Sequence, residues 1–415
     1  MKTPLPKLGI IGTVGVPAKY GGFETLVHYL VKNLHDRLDM TVYCSQYNYE
    51  EHERRLTWNG AKLHYIPLRA NGLQSILYDM WSMIHAARHS DVLLVLGVSG
   101  CLFLPVLKLF SRKKVIVNID GLEWRRPKWN WLAKKFLLVS EIIACRFADE
   151  IVTDNRILKE YVKIRYNIDG NLIEYGADHA RKVPIRPEDV ARYPFLAKPY
   201  AFKVARIEPE NNIHVILKAF SRVPAQTLVL VGNWDNSLYG RSLRNQYVKA
   251  PNLHLLDPIY DLPTLDLLRT NAKYYVHGHS AGGTNPSLVE AMYCALPVVA
   301  FDVIYNRVTA NNQALFFHDA ESLQNIIANI DRFPLSAIAR DLKAFANRRY
   351  TWASVANRYA QLVEGVERLP VPGWVPGSVS EELAQKALPE PDFALPTIEE
   401  VDATTREEPS SFVRA

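Results

Sequence analysis

Short apolar runs followed by residues at helical spacing recur along the chain. The clearest run is DVLLVLG at Asp91–Gly97, which is typical of a central strand in a parallel sheet because helices cover both faces of such a strand. Leu8–Thr13, Val115–Ile119 and Val298–Phe301 are similar runs. Strand and helix patterns alternate through both halves, which predicts an α/β fold with parallel sheets.

Val92–Leu107 carries no charge, but its 16 residues are fewer than the ~20 that a spanning helix needs. We therefore expect a buried strand and the start of a helix there. The amino terminus runs directly into a strand and does not resemble a signal peptide, so we expect a cytoplasmic protein.

Length and composition indicate a globular protein of two ordinary domains, with 415 residues and 48% hydrophobic residues. The four cysteines are widely spaced and indicate buried thiols, not disulfides or zinc ligands. The sequence has no D-x-D motif and no His/Cys cluster with ligand spacing. It therefore predicts no metal and no cofactor.

Charge is divided unevenly along the chain. Residues 371–415 hold nine acidic and three basic residues, and their Pro, Glu and Ser content predicts a disordered acidic tail. The remaining chain is strongly basic, which suits anionic ligands or an anionic membrane surface. No nucleic-acid motif accompanies this charge, so nucleic acid is not expected as a partner.

The stretch His279–Asp302 predicts a glycine-bearing loop, a capped helix and a buried strand. Glycines allow the backbone to approach a ligand closely, Asn285 is a good N-cap, and Pro286 suits the first helical position. The helix would direct its positive end at the loop, which favours phosphate, and Glu290 could accept hydrogen bonds from hydroxyls. An ordinary βα turn with a solvated glutamate would have the same pattern.

This stretch, GGTNPSLVEAMYCALPVVAFD, resembles the nucleotide-sugar motif of the retaining, two-domain glycosyltransferases of family 4. Those enzymes carry two glutamates separated by seven residues, followed by A-x-x-x-G-x-P-V. The matching positions are Glu290, Ala291, Pro297 and Val298. Ala295 replaces the usual glycine, and Gly282 replaces the first glutamate, which contacts the donor sugar in that family. The resemblance implies a ribose contact for Glu290.

The loop GTVGVPAKYGGFET near the amino terminus resembles that of bacterial rhamnosyltransferases in the same family. The resemblance implies that Gly21, Gly22 and Glu24 face a cleft between two domains. A tight turn with Glu24 near a helix start, favoured by the helix dipole, is the structural alternative.

NIDGLEWRRPKW, after the strand Val115–Ile119, also resembles the rhamnosyltransferases. Open α/β sheets place ligands at the carboxyl ends of strands, where Asp120 and Glu123 lie. Asp120 is near the position of a histidine that contacts the donor sugar in wider family 4. It could therefore act on the donor sugar or on the acceptor hydroxyl, or the two acids could cap the following helix.

ARIEPENN resembles the family segment G-R-x-x-x-E-K-G, whose arginine and lysine hold the donor diphosphate. Arg206 matches the arginine, and its planar guanidinium suits a diphosphate. Asn211 replaces the lysine. The missing lysine and the missing glutamate are compatible with a deoxysugar donor that offers fewer hydroxyls.

From Lys108 to Lys135, nine basic residues are interleaved with three tryptophans and a phenylalanine. This combination predicts a membrane-interface surface, and a solvated basic helix with core tryptophans is the alternative. The resembled enzymes act on polyprenyl-diphosphate-linked sugars at the inner face of the cell membrane, which favours the first interpretation.

The resemblance implies a GT-B fold of two doubly wound, Rossmann-like domains that face each other across a cleft. We predict an acceptor domain at residues 1–178, a linker at 179–198, a nucleotide-sugar domain at 199–349, and a helix at 350–370 that crosses back. The tail at 371–415 follows. Predicted donor-binding residues are Gly21, Gly22, Arg206, Asn211, Gly282, Gly283, Thr284, Asn285 and Glu290.

The predicted acceptor-binding residues are Glu24, Asp120 and Glu123, and the predicted catalytic residues are Arg206, Glu290 and Asp120. The expected activity is transfer of L-rhamnose from dTDP-L-rhamnose to a polyprenyl-diphosphate-linked sugar, by a peripheral enzyme at the membrane. Alternatives are another nucleotide-sugar donor, a nucleotide-sugar epimerase, and a catalytically inactive membrane-bound relative.

Overall fold

In the computed structural model, the described residues are 4–366 apart from 20, 73, 127 and 128. The predicted acidic tail and the last residues of the predicted crossing helix lie outside them. The described part contains two sheets, one of eight strands and one of six. Each sheet is the centre of one domain.

The first sheet has the strand order β3-β4-β2-β1-β5-β6-β7-β8. All neighbours are parallel except β3 and β4, and β1 lies centrally, with Leu8 opposite both Met40 and Val92. Its strands are β1 Lys7–Ile11, β2 Asp39–Ser45, β3 Thr57–Trp58, β4 Ala61–Ile66, β5 Val92–Leu96, β6 Lys114–Asn118, β7 Glu150–Thr153 and β8 Asn171–Leu172. The edge strand β8 is short, with two residues.

Helices cover both faces of the first sheet. Leu30 of α1 belongs to one apolar layer, whereas Met83, Leu104 and Leu138 of α2, α3 and α4 belong to the other. The helices are α1 Gly22–Leu34, α2 Gln74–His89, α3 Leu104–Phe110, α4 Trp131–Phe147 and α5 Arg156–Tyr166. Coverage on both faces explains why β5 is apolar at every position.

The second sheet has the order β11-β10-β9-β12-β13-β14, and all its neighbours are parallel. Its strands are β9 Tyr200–Val204, β10 Thr227–Val231, β11 Leu253–Leu256, β12 Tyr274–His277, β13 Val298–Phe301 and β14 Leu315–Phe317. The remaining helices are α6 Pro187–Arg192, α7 Ile213–Ser221, α8 Leu238–Tyr247, α9 Leu262–Thr270, α10 Pro286–Tyr293, α11 Ile304–Thr309, α12 Ala320–Ala328, α13 Leu335–Arg349 and α14 Trp352–Glu364.

The chain passes between the domains twice, at adjacent places. The N–H of Ala177 donates to the carbonyl of Tyr350, and the N–H of Trp352 donates to Oδ1 of Asp178. Helix α14 then lies on the first domain, where Tyr359 accepts a hydrogen bond of 2.8 Å from Asn118. The last helix therefore packs on the first domain although it follows the second in sequence.

Among the described residues, no helix combines the length and the apolar character that crossing a bilayer requires. The uncharged stretch Val92–Leu107 is instead divided between β5, a short 3-10 turn and the start of α3. The prediction of a strand followed by a helix start is confirmed there.

Candidate active site

Four strands of the two sheets end next to the predicted site residues. Asp120 follows β6 and Asp154 follows β7 in the first domain, while Arg206 follows β9 and His279 follows β12 in the second. Ligands in open parallel sheets bind at these carboxyl ends. The two sheets therefore present opposite halves of one candidate site.

The loop before α10 has the predicted form. Asn285 is the N-cap and its side chain accepts a hydrogen bond of 3.1 Å from the N–H of Ser287, while Pro286 is the first helical residue. Gly282 and Gly283 both have positive φ, at 38° and 78°, which a residue with a Cβ adopts at a cost. The prediction of a loop, a capped helix and a strand is confirmed.

This glycine loop, residues 282–285, contacts the first domain directly. A Cβ on Gly282 would lie 3.2 Å from the amide nitrogen of Leu122, and one on Gly283 would lie 2.9 Å from Oδ2 of Asp154. The N–H of Thr284 donates to the same oxygen over 3.2 Å. The gap between the domains is closed at this loop.

Thr284 makes a second contact with the first domain, because its hydroxyl accepts a hydrogen bond of 3.2 Å from Nδ2 of Asn155. Its N–H and its hydroxyl therefore both have protein partners. Asn155 also donates to the hydroxyl of Thr309, which links α11 to the same point. Donor contacts by Thr284 stay a prediction, and here the residue holds the two domains together.

Asp154 has an unusual environment that the sequence did not reveal. Burial, and after it the charge of Asp120, raises the pKa of this carboxyl well above its ordinary value. Its second oxygen, Oδ1, has no hydrogen-bond partner among the described residues. The carboxyl is therefore held toward its neutral form at the end of β7.

Arg206 lies beside a loop that is tied to His279. Nδ2 of Asn211 donates to the carbonyl of Arg206 over 2.9 Å, and Oδ1 of Asn211 is 3.0 Å from Nδ1 of His279. The Arg206 guanidinium is 3.7 Å from the carboxylate of Glu208. Asn211, which replaces the family lysine, thus positions the loop through its amide.

His279 is buried, and the charges of two guanidinium groups act on it. Burial, followed by the charges of Arg126 and Arg206, lowers the pKa of His279 to about 3. The ring is therefore neutral at physiological pH. Because the amide of Asn211 donates through Nδ2 to a carbonyl, its Oδ1 accepts from Nδ1 of the imidazole.

Arg126 belongs to the loop after β6 and was not among the predicted site residues. Its guanidinium is 2.5 Å from Glu123 and 3.9 Å from Asp120. Burial acts to lower the pKa of Arg126, but the carboxylates of Glu123 and Asp120, and beyond them Glu210 and Glu208, raise it overall. Arg126 therefore reaches from the first domain toward the loop that carries Arg206.

The sequence held a signal for this residue. Asn211 stands where the family has a lysine, so one positive charge is missing beside the predicted diphosphate and another residue could supply it. Arg126 lies in NIDGLEWRRPKW, the motif that also contains Asp120 and Glu123. Glu210 is 3% exposed, and neither of its carboxylate oxygens has a partner among the described residues. Its negative charge is one of those that raise the pKa of Arg126.

Glu290 is buried in α10 and bonded through both oxygens. Oε1 is 3.1 Å from Nε2 of His179, and Oε2 accepts a bond of 2.5 Å from Arg269, which also bonds Asp266. Burial acts to raise the pKa of Glu290, but the charge of Arg269 and the contacts with His179 outweigh it and lower the pKa. Protein partners therefore hold both oxygens of this carboxylate, and its ribose contact stays a prediction.

Glu24 is folded back on its own loop. Its Oε1 accepts hydrogen bonds from the N–H of Val14 and the hydroxyl of Thr13, at 2.9 and 3.2 Å. Burial raises the pKa of Glu24, although these hydrogen bonds and the charge of Arg206 oppose the shift. The charge of Arg206 in the other domain acts on Glu24, and the acceptor role of Glu24 stays a prediction.

The two predicted glycines beside Glu24 allow close approaches. Gly21 has φ 127°, and a Cβ there would overlap a carboxylate oxygen of Glu24. A Cβ on Gly22 would lie 3.2 Å from the hydroxyl of Tyr175. Any side chain at Gly21 would therefore displace Glu24 from its loop.

Asp120 adopts a left-handed backbone conformation, with φ 58°, although it is not glycine. Its N–H donates to Oδ1 of Asn118 over 2.9 Å, which holds the turn. Strain of this kind concentrates at functional sites. Within the described ranges, no three His, Cys, Asp or Glu side chains are grouped so that they could hold a metal ion.

Two family models match the chain, one over each of the two sheets. Residues 6–178 match the domain of unknown function DUF1972, and residues 186–343 match the model "Glycosyl transferases group 1". The second match covers β9 to β14 together with the glycine loop and Glu290. Residues 186–343 are a group 1 glycosyltransferase domain.

Solved structures show the same architecture. Sucrose-phosphate synthase from Thermosynechococcus elongatus superposes with a TM-score of 0.73 at 16% identity, covering 87% of this chain and 99% of that one. Anabaena HepE in complex with UDP-glucose has a TM-score of 0.67 at 16% identity, covering 88% and 100%. A putative UDP-N-acetylglucosamine 2-epimerase from Listeria monocytogenes has a TM-score of 0.58 at 13% identity, covering 90% and 100%.

At these identities the likeness concerns the fold, and the predicted GT-B architecture is confirmed. No curated protein matches the chain at a significant level. The identity of the donor sugar therefore has to be argued from this site.

Proposed function

We propose that the chain is a metal-independent, retaining glycosyltransferase that moves L-rhamnose from dTDP-L-rhamnose to a polyprenyl-diphosphate-linked sugar. It would work as a peripheral enzyme at the inner face of the cell membrane, in surface polysaccharide biosynthesis. The observation that carries the proposal is that Asn211 bonds both the carbonyl of Arg206 and the ring of His279, at the ends of β9 and β12. The charges of Arg206 and of Arg126, from the opposite domain, both act on that ring.

Two guanidinium groups from opposite domains suit a diphosphate that leaves with growing negative charge. The amino end of α10 lies close to this position. Tyr275 joins the two elements, because its hydroxyl bonds both the carbonyl of Val204, at the end of β9, and Oγ of Ser287, in the first turn of α10. The helix dipole adds positive potential there.

In the proposed reaction, the bond between the sugar C1 and the diphosphate oxygen breaks, and the acceptor oxygen bonds C1 on the same face. The acceptor proton passes to the leaving phosphate oxygen, so the protein needs no nucleophile. Asp120 would orient the acceptor hydroxyl or the sugar, and Glu290 would accept a hydrogen bond from the ribose. Gly21 and Gly22 would admit the donor closely.

The proposal of a deoxysugar rests on two replaced positions. Gly282 replaces a carboxylate that would bind sugar hydroxyls, and its backbone lies against Gly121 and Leu122. A sugar with fewer hydroxyls needs fewer such partners. The buried, neutral ring of His279 adds no charge near the sugar, which suits the less polar face of a deoxysugar.

The test is incubation of the purified chain with bacterial membranes and labelled dTDP-L-rhamnose, UDP-glucose or GDP-mannose. We expect label from dTDP-L-rhamnose in the lipid fraction, and little from the other two. Label from UDP-glucose alone would contradict the donor assignment. A parallel incubation uses UDP-N-acetylglucosamine without membranes, and turnover there would favour an epimerase. No turnover with any donor would favour an inactive relative.

A further inference from the structure

Helix α2 exposes an apolar stripe on the face opposite its buried one. Leu77, Trp81 and Ile84 are 56%, 55% and 40% exposed. Their spacing of four and three residues places them on one side of a helix. Tyr78 and Met83, which face the sheet, are fully buried. The stripe is therefore an outward face and not part of the core.

The next two helices continue this apolar surface. Leu109 and Phe110 at the end of α3 are 79% and 86% exposed, and Trp131 and Leu132 begin α4 at 66% and 63%. Including Val106, eight of the eighteen exposed large hydrophobic residues in the described part lie on these three helices. Exposed apolar residues grouped in this way mark an interaction site.

The three helices lie side by side on one face of the first sheet. The turn before α3 touches α2, since a Cβ on Gly100 would lie 2.3 Å from Cβ of Asp79. Helices α3 and α4 contact each other, and the buried sides of all three share one apolar layer. The exposed sides therefore form one broad surface, which we call the helix-layer surface (outward residues of α2, α3 and α4).

The charges on this surface have one sign. The three helices contain two acidic residues, Asp79 and Glu141, and both are buried. Their basic residues are Arg88, Lys108, Lys134, Lys135 and Arg146, of which Lys108 is paired with Asp149 just beyond α4. Lys135 lies 5.1 Å from the ring centre of Trp131, so charge and aromatic ring occur together. Apolar and aromatic side chains among bases fit an anionic bilayer surface.

We propose that the helix-layer surface docks on the surface of an anionic phospholipid bilayer. This inference deepens the proposed function, because it names the surface that brings the enzyme to a lipid-linked acceptor. The sequence predicted a membrane-interface surface at residues 108–135 alone. The structure adds the exposed apolar residues of α2, which lie earlier in the chain. Lipid is favoured over a protein partner because the exposed apolar residues are spread over three helices with bases between them.

The orientation suits an acceptor held in the membrane. Helices that follow parallel strands begin at the edge where the strands end, so Leu77, Trp131 and Leu132 lie toward the edge that carries Asp120. Leu109 and Phe110, at the end of α3, lie toward the opposite edge, so docking would lay this face of the domain along the bilayer with the Asp120 edge at its border. The acceptor diphosphate could then enter the gap while its polyprenyl chain stays in the bilayer.

The test measures sedimentation of the full chain with vesicles of 30% phosphatidylglycerol in phosphatidylcholine, and with vesicles of phosphatidylcholine alone. We expect binding to the anionic vesicles that falls steeply at high salt. The variant Leu109→Ser/Phe110→Ser should bind about 10-fold more weakly, because two apolar side chains no longer enter the interface. Arg88→Glu/Lys135→Glu should weaken binding and flatten the salt dependence.

Leu238→Ser is the matched control, since Leu238 is 80% exposed on α8 of the second domain. It should bind vesicles within about twofold of the wild type. The proposal is overturned if anionic vesicles do not bind the wild type, if Leu238→Ser loses as much as the α3 variant, or if the chain is a dimer that the α3 variant dissociates. Nucleotide binding, measured without vesicles, separates failure of docking from failure of the proposed function.

Discussion

The indole Nε1–H of Trp352 donates a hydrogen bond of 2.9 Å to Nδ1 of His179. Indole nitrogen can only donate, so Nδ1 of the imidazole is the acceptor and its proton is on Nε2. That nitrogen faces Oε1 of Glu290 at 3.1 Å. The first residue of α14 therefore fixes the imidazole that holds the predicted ribose-binding carboxylate.

Trp352→Phe should keep the stacking on Tyr29, whose ring centre is 4.5 Å from that of Trp352, but remove the donor. We expect a loss of about 1 kcal/mol in the free energy of unfolding, the usual contribution of one hydrogen bond. Nitrogen chemical shifts of His179 should show loss of the single tautomer. Trp81→Phe, at an exposed position, is the control, and an unchanged His179 spectrum in Trp352→Phe would contradict the assignment.

Glu290→Gln should weaken binding of the donor nucleotide and destabilise the protein. It leaves the buried guanidinium of Arg269 with half of its charge partners, and breaking a buried ion pair costs about 3 kcal/mol or more. Urea unfolding and calorimetric titration with dTDP measure the two effects. Glu364→Gln removes the more exposed pair with Arg37 and should cost at most about 1 kcal/mol. Equal losses in both variants would argue against the buried network.

Arg126→Ala should weaken donor binding by about 10- to 100-fold, because it removes one charge-assisted contact with the diphosphate. Asn211→Lys in the same chain should restore much of the affinity, since it returns the cation that the family carries at that position. Rescue of this kind distinguishes a diphosphate contact from a structural role. Arg125→Ala is the control, because Arg125 bonds Tyr305 instead. Donor binding by Arg126→Ala that matches Arg125→Ala would remove Arg126 from the donor site.

Gly283→Ala should be more harmful than Gly72→Ala. The two glycines have similar backbone angles, with φ 78° and 73°, so the strain of adding a Cβ is matched at about 1–2 kcal/mol. A Cβ at Gly283 would press on Asp154, whereas nothing lies within 4 Å of one at Gly72. Urea unfolding and initial transfer rates should therefore separate the variants. Equal behaviour would show that the loop is not docked on Asp154.

Asp79 should make stability depend on pH. Burial raises the pKa of this carboxyl from 3.8 to about 7, so the folded state binds more protons than the unfolded state between these values. The free energy of unfolding should fall as pH rises from about 4 to about 7, by up to about 4 kcal/mol from this group. Asp79→Asn should remove that fall, whereas Asp36→Asn at an exposed position should not. Parallel slopes in wild type and Asp79→Asn would contradict the prediction.

Local sequence patterns were sufficient to predict helices and strands. They could not predict which side chains from distant parts of the chain are in contact. The cap at Asn285 and the strand at Val92–Leu96 depend on neighbouring residues, so the sequence was sufficient. The partners of Glu290 lie in a connecting segment and in α9, and nothing in the local sequence marks His179 or Arg269 as its neighbours.

Asp154 illustrates the same limit in the first domain. In sequence it follows an ordinary strand, and its importance arises only because Thr284, 130 positions away, is brought against it. Glu24 differs, because the sequence predicted that its carboxylate faces the cleft and binds the acceptor. In the structure its hydrogen-bond donors are Val14 and Thr13 of its own loop. Sequence motifs therefore indicate where the candidate site lies. They do not show which of its side chains are already hydrogen-bonded within the protein.

The two passages of chain between the domains lie against each other at Ala177 and Tyr350. Because both connections between the domains pass there, a rotation of one domain against the other would have its axis near that edge. His179, which contacts Glu290 at 3.1 Å, is next to this axis, while the glycine loop contacts Asp154 and Asn155 of the facing domain. Under the proposed function, a nucleotide bound beside Glu290 would therefore act close to this axis and change the angle between the two halves of the site.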